Sequence, residues 1–292
     1  MSDVARGGPM AVGGSRARTG KPLQYAVLIG WSAVTLGIFA WLLLSSFKTN
    51  VEIFSSAWAL PATPLAAFQA NFGRAWHLSR MSTYFSNSVF VTSLSVLLVV
   101  AVSAPAAYAL TRFRFFGNTV LSYYFIAGMG LPLQLILIPL FVMLTRLGLA
   151  NSLQGLILAY VAVSVPFTML LLTGFFRTLP TELEDAAAID GCSEFGVFWR
   201  IMLPLAAPGL LTAVILNFVT IWNEFLLALL IIKKDTLRTM PLGIYGLRYS
   251  MQYTANWSAL FAGVVIVIVP NFLFYLLFSD RITSGITLGS GK

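Results

Sequence analysis

The residues able to do chemistry are few. Among 292 residues there is one Cys, one His and ten Asp or Glu. A zinc site, a thiol redox pair or a Cys-His nucleophile would each need more partners than that. Cys192, between Gly191 and Ser193, reads as a small polarizable filler, and His77 beside Trp76 as a solvated loop residue. With no convergent set of acid, base and nucleophile, the chain does not read as an enzyme. The acids do cluster, however. Five of the ten, Glu182, Glu184, Asp185, Asp190 and Glu194, fall between Arg177 and Pro204. Inside that stretch, Pro180 to Gly191 has the pattern of a self-contained short helix. Thr181 stands three residues before Glu184 in the form of a capping box, acids in the first turn favour the positive helix end, and Gly191 supplies the stop. The chemistry open to such a helix is docking. Its Ala186-Ala187-Ala188 face has almost no side chain, so another protein can approach the backbone, while Asp185 and Asp190 offer charge to Arg or Lys. Phe195, Phe198, Trp199, Ile201 and Met202 follow at near-helical spacing, then Leu203-Pro204. A helix resting on lipid headgroups also accounts for that stripe.

A second group of polar residues lies within an apolar run. Glu224 is the acid placed well inside such a run, and with Asn217, Trp222 and Asn223 it could line a solute pathway with donors, acceptors and an aromatic ring. Alternatively, Glu224 lies near the outer water and fixes helix packing. Gln134 beside Pro132 and Asn271 beside Pro270 are further lining candidates that interhelical hydrogen bonding explains as readily.

The elements that must position these residues are membrane helices. The chain is 58% hydrophobic and 10% charged, a balance foreign to water-soluble domains. Six apolar runs, each near the length of about 20 residues that crosses a bilayer, lie at Tyr25 to Phe47, Ser86 to Leu110, Val120 to Leu144, Leu153 to Phe176, Leu205 to Ile232 and Ala259 to Phe278. The first is too long for a secretory signal core and is read as an anchor. Five runs contain prolines, namely Pro105, Pro132 with Pro139, Pro166, Pro208 and Pro270, which predict kinks. The net charge of +8 is spread between the runs with no basic face, so no nucleic-acid partner is expected. Placing the N-terminus in the cytoplasm puts ten of the 18 Lys and Arg inside and eight outside, nearly silent as a whole. The first helix decides: Arg6, Arg16, Arg18 and Lys21 precede it, against Lys48 at its other end. Both termini are therefore expected in the cytoplasm. Residues 1–24 read as a disordered tail, 25–279 as the membrane domain with a cytoplasmic loop over 177–204, and 280–292 as a second tail. Gly289-Ser290-Gly291-Lys292 lacks the leading glycine, preceding strand and following helix of a phosphate loop, so ATP is not expected to bind here.

The run Asp185-Ala186-Ala187-Ala188-Ile189-Asp190-Gly191, then nine residues, then Ile201-Met202-Leu203-Pro204, resembles the EAA loop of ABC importer permeases. Its usual form is Glu-Ala-Ala, Gly four residues on, and Ile-x-Leu-Pro after nine more. Asp185 replaces the usual Glu, keeping the charge with a shorter reach. The whole chain is similar to carbohydrate-uptake permeases of the maltose-permease type through Ser46-Phe47-Lys48-Thr49, Asn87-Ser88, Ala106 to Leu110, Ile138-Pro139-Leu140, Leu147-Gly148-Leu149, Phe175-Phe176-Arg177 and Trp222-Asn223-Glu224-Phe225. The resemblance implies an all-α membrane protein of six transmembrane helices with a cytoplasmic EAA-type coupling loop, the type I importer architecture. It implies that Glu184, Asp185, Ala186, Ala187, Asp190, Gly191, Ile201, Leu203 and Pro204 couple to ATPases, and that Gly285 to Gly289 forms a tail reaching them. The implied partners are a second, homologous permease, two ATPase subunits that bind ATP and Mg, an extracytoplasmic solute-binding protein and membrane lipid. The implied solute is a mono- or oligosaccharide or a sugar derivative, crossing a prokaryotic plasma or inner membrane.

Overall fold

The computed structural model describes residues 21–254 and 256–289, and no strand occurs among them. Of the disordered tail expected over residues 1–24, residues 1–20 lie outside the described residues, as do the last three of the chain, while 21–24 already belong to the first helix. Where no water reaches the backbone, only a helix satisfies its own N–H and C=O groups, so the apolar runs fold as helices. In order they are α1 (Lys21–Ser46), α2 (Asn50–Ser55), α3 (Pro64–Gly73), α4 (Met81–Arg112), α5 (Asn118–Met129), α6 (Leu133–Arg146) and α7 (Leu153–Thr178). There follow α8 (Glu182–Ile189), α9 (Glu194–Val197), a π-helical turn over Phe198–Met202, α10 (Leu203–Leu205), α11 (Ala207–Trp222), α12 (Leu226–Ile231), α13 (Met240–Thr254) and α14 (Trp257–Gly289). α14 carries helical backbone as far as Gly289, into the segment expected as a C-terminal tail.

Four stretches, Gln24–Ser46, Met81–Arg112, Leu153–Thr178 and Trp257–Phe278, are long and apolar enough to cross a membrane unbroken. The other two of the six expected crossings are bent pairs, α5 with α6 at 105° and Glu194–Leu205 with α11 at 71°. The third expected run is therefore not one straight helix. Pro132 stands before α6 with an extended ψ of 132° and has no N–H to continue α5. The fifth run ends early at Trp222, because the Glu224 carboxylate accepts from the N–H groups of Leu227 and Ala228 and starts α12 anew.

α4 and α7 form the central pair and end on the same side, where Arg112 of α4 reaches the Leu179 carbonyl just past α7. Two apolar clusters pack along them. Towards the Met81 end, Val91, Leu156, Tyr160, Ile221 and Leu227 meet; towards the Arg112 end, Ala107, Tyr108, Leu172, Phe176, Phe198 and Met202 do. Gly209 lets the Phe175 ring lie directly against α11, a space any Cβ would fill. α1 sits at the periphery with Leu28, Ile29 and Trp31 exposed, an apolar surface that suits lipid.

Candidate coupling loop and pathway residues

α8 leaves α7 through the short Leu179-Pro180 link and presents two unlike faces. Asp185, Ala186, Ala188, Ile189 and Asp190 are exposed, Ile189 by 86%. Ala187 is buried at 5%, packed under the helix with the cluster of Tyr108, Phe176 and Phe198. This corrects the expectation of an outward Ala186-Ala187-Ala188 face: Ala187 seats α8 on its own chain, and its neighbours are what a partner can approach. The capping box is also overturned. Thr181 is itself helical (φ −73°, ψ −24°) and its hydroxyl caps nothing. The Glu184 side chain turns inward instead and meets Arg112 Nε at 2.8 Å, an ion pair whose side chains are 10% and 20% exposed. The N–H does not aim squarely at the oxygen, so charge rather than a linear hydrogen bond holds them. Burial pushes the Glu184 carboxyl up, and the Arg112 guanidinium opposes that shift.

Gly191 ends the helix in the left-handed conformation at φ +78°, where its N–H bonds the Ala188 carbonyl and the Cys192 N–H bonds that of Ala187. Ser193 then caps α9 through the Gly196 N–H. The aromatic stripe divides beyond this point. Phe198 and Met202 face the core, while Phe195 and Trp199 stay 74% and 50% exposed and pack on each other at 5.9 Å between ring centroids. Ile201 and Leu203 are half-buried and Pro204 is exposed in α10, where the chain turns back towards α11.

The candidate pathway residues are not gathered on one face. Asn217 is buried and its amide donates to Thr168 Oγ1 on α7 and to the Ala213 carbonyl, both at 2.8 Å. Trp222 is buried, stacked on Phe218 and edge-on to Phe85. Glu224 accepts from Tyr160 Oη at 2.9 Å besides starting α12, so its oxygens serve packing within the chain. Asn223 is exposed and exchanges two amide hydrogen bonds with Asn271 of α14, at 3.2 and 2.8 Å. Arg112 and Tyr160, the partners of the two informative acids, escaped the sequence reading. They lie far along the chain from those acids, and nothing in local spacing points to them.

Comparison with known proteins closes the question of class. Residues 100–279 match the family described as binding-protein-dependent transport system inner membrane component. The chain is 38% identical to the diacetylchitobiose uptake system permease protein NgcG of Streptomyces coelicolor, over 92% of this chain and 88% of that one. It is 37% identical to the sulfoquinovosyl glycerol transport system permease protein SmoH of Agrobacterium fabrum, over 94% and 95% of the two chains. Its fold matches a chain in the crystal structure of a bacterial ABC transporter involved in import of the acidic polysaccharide alginate, with a TM-score of 0.73 at 23% identity, over 90% of this chain and 98% of that one. The chain is accordingly a multi-pass membrane protein and a transporter component, and it belongs to the family of binding-protein-dependent transport system inner membrane components.

Proposed function

We propose that this chain is one of two permease subunits in an ATP-driven importer of a mono- or oligosaccharide or a sugar derivative, and that it forms half of the translocation pathway. The single observation that carries the coupling part is the build of α8: a helix with a narrow, acidic exposed face, rooted in the transmembrane helices by Glu184 and Ala187. Asp185, Ala186, Asp190 and Gly191 form its docking side, with Ile201, Leu203 and Pro204 returning the chain to the membrane. The occupant is an ATPase subunit that binds ATP and Mg, one for each permease. A solute-binding protein delivers the sugar to the opposite side. The membrane domain spans 25–279, with 177–204 as its coupling loop, and both termini share the cytoplasm with that loop.

Related proteins named for diacetylchitobiose, sulfoquinovosyl glycerol and starch degradation products support a saccharide as solute. Asn223 with Asn271 is the exposed polar pair that suits the pathway, Glu224 starts the helix beyond the break beside it, and Asn217 and Trp222 pack behind it. The test is purification of the complex through a tag on this chain, followed by uptake of a panel of labelled saccharides into proteoliposomes loaded with ATP. Copurifying ATPase subunits and uptake of at least one saccharide are expected. Turnover of ATP or solute by this chain alone would refute the assignment.

A further inference from the structure

Three ion pairs occur among the described residues, and one of them joins the docking segment to a membrane helix. Arg80 and Arg238 both meet Asp235 at the Met81 end, in partly exposed contacts, whereas Arg112 and Glu184 are largely desolvated. Arg112 is the last residue of α4 and Glu184 lies in the first turn of α8. Arg112 also donates from Nη2 to the Leu179 carbonyl at 2.7 Å, and Leu179 is the residue at which α7 ends. A single guanidinium therefore ties the ends of α4, α7 and α8 together. One turn earlier, the Tyr108 ring packs on Phe176 at 5.5 Å and on Phe198 at 5.1 Å, so the charged knot sits on an aromatic floor shared by α4, α7 and the π-helical turn.

Exposed ion pairs hold little, since water competes for both charges. A desolvated pair differs, because removing one member strands the other without a partner. The far end of α4 is bound as well. Asn87 donates to the carbonyls of Thr236 and Arg238, and Tyr84 Oη donates to Asp235. α4 runs unbroken from that loop to Arg112. We infer that Arg112 is a positioning residue which fixes the docking helix to α4, so that displacement of α8 by its ATPase reaches the loop over Asp235 to Arg238 through one continuous helix. The inference rests on the coupling reading of α8 given above. Arg112 touches neither nucleotide nor solute in this role.

The experiment uses the whole importer in lipid nanodiscs, in a Cys192→Ser background with spin labels at Leu36 of α1 and Val102 of α4, both exposed. Two quantities are read: ATPase subunits retained per chain, and the shift in label separation when ATP and vanadate are added. The otherwise unaltered chain should show a resolved shift. Arg112→Ala should retain ATPase subunits within about twofold yet lose most of the shift, because the docking face is intact while its root is cut. Arg112→Glu combined with Glu184→Arg should regain at least half of it, because the pair is restored with its charges exchanged, while the retained ATPase subunits separate a cut root from a merely structural loss of the docking helix. Persistence of the full shift in Arg112→Ala, failure of the charge swap to restore it, or absence of a shift in the parent complex would each overturn the inference. Absence of any ATPase subunit from the parent complex would count instead against the coupling reading of α8.

Discussion

At the scale of single residues, the charges that matter are those held by backbone or by one opposite charge. Glu52 shows the first kind. Its carboxylate accepts from the N–H groups of Thr49 and Ala62 at 2.7 and 2.9 Å, closing a reciprocal cap on α2 and pinning the following loop. These backbone N–H groups hold its carboxyl below the ordinary value of 4.5. A lowered value means that its contribution is present at neutral pH and is lost as pH falls through the folded-state value. Glu52→Gln should therefore melt about 2 °C below the parent at pH 7, in line with the loss of one cap, and the gap should close in acid below the ordinary carboxylate range. Thermal unfolding of the purified chain in detergent across that pH range is the measurement. A gap that widened in acid would contradict the hydrogen-bond account. Arg112 with Glu184 shows the second kind, and here the two neighbouring acids of one helix turn take opposite parts: Glu184 faces its own chain and Asp185 faces outward.

At the scale of elements, α8 distinguishes docking from folding within three consecutive alanines. Ala187 is buried and Ala188 is exposed. Ala187→Trp should overpack the seat beneath the helix, costing on the order of 1–3 kcal/mol or more, and should lower the yield and melting temperature of the chain. Ala188→Trp should leave both unchanged and reduce ATPase copurification at least about tenfold, since a large ring would occupy the approach to the backbone. Normal copurification with Ala188→Trp would exclude this face as the docking surface. Sequence alone could locate α8 and its stop, because a run of acids followed by alanines and a glycine is local information, and Gly191 adopts the left-handed turn expected of it. Which alanine points inward was not legible, as that depends on Tyr108, Phe176 and Phe198 from distant segments. The same limit explains the misread capping box, where a charge on α4 outcompeted the local backbone for Glu184. Apolar runs likewise disclosed the spans but not their bends. Pro132 signals a break in sequence, but the 105° turn between α5 and α6 is a property of what each half packs against.

On the scale of the whole molecule, the α4 and α7 pair organises everything else, and the peripheral α1 with its exposed apolar side depends on lipid or another subunit for cover. The proposed topology places the α8 side, the N-terminus and the C-terminus together. Single cysteines at Ser2 and Ser290 in a Cys192→Ser background should resist a membrane-impermeant thiol reagent added outside intact cells and react fully once the membrane is opened. Labelling of either site from outside would reverse or break the topology. For Glu224 the sequence posed the choice between pathway and packing, and the structure directs its oxygens to Tyr160, Leu227 and Ala228.

The Arg112 to Glu184 contact also bears on how the protein is made. The ribosome delivers α4, with its terminal arginine, before the bent α5 and α6 pair and the whole of α7. Only then does Glu184 emerge. Until that moment the guanidinium has no carboxylate, and the bundle cannot close around it in the form seen here. Consolidation at this membrane face is thus timed to the appearance of the segment proposed to receive the ATPase: the tie between the ends of α4, α7 and α8 is complete only once that segment has been made.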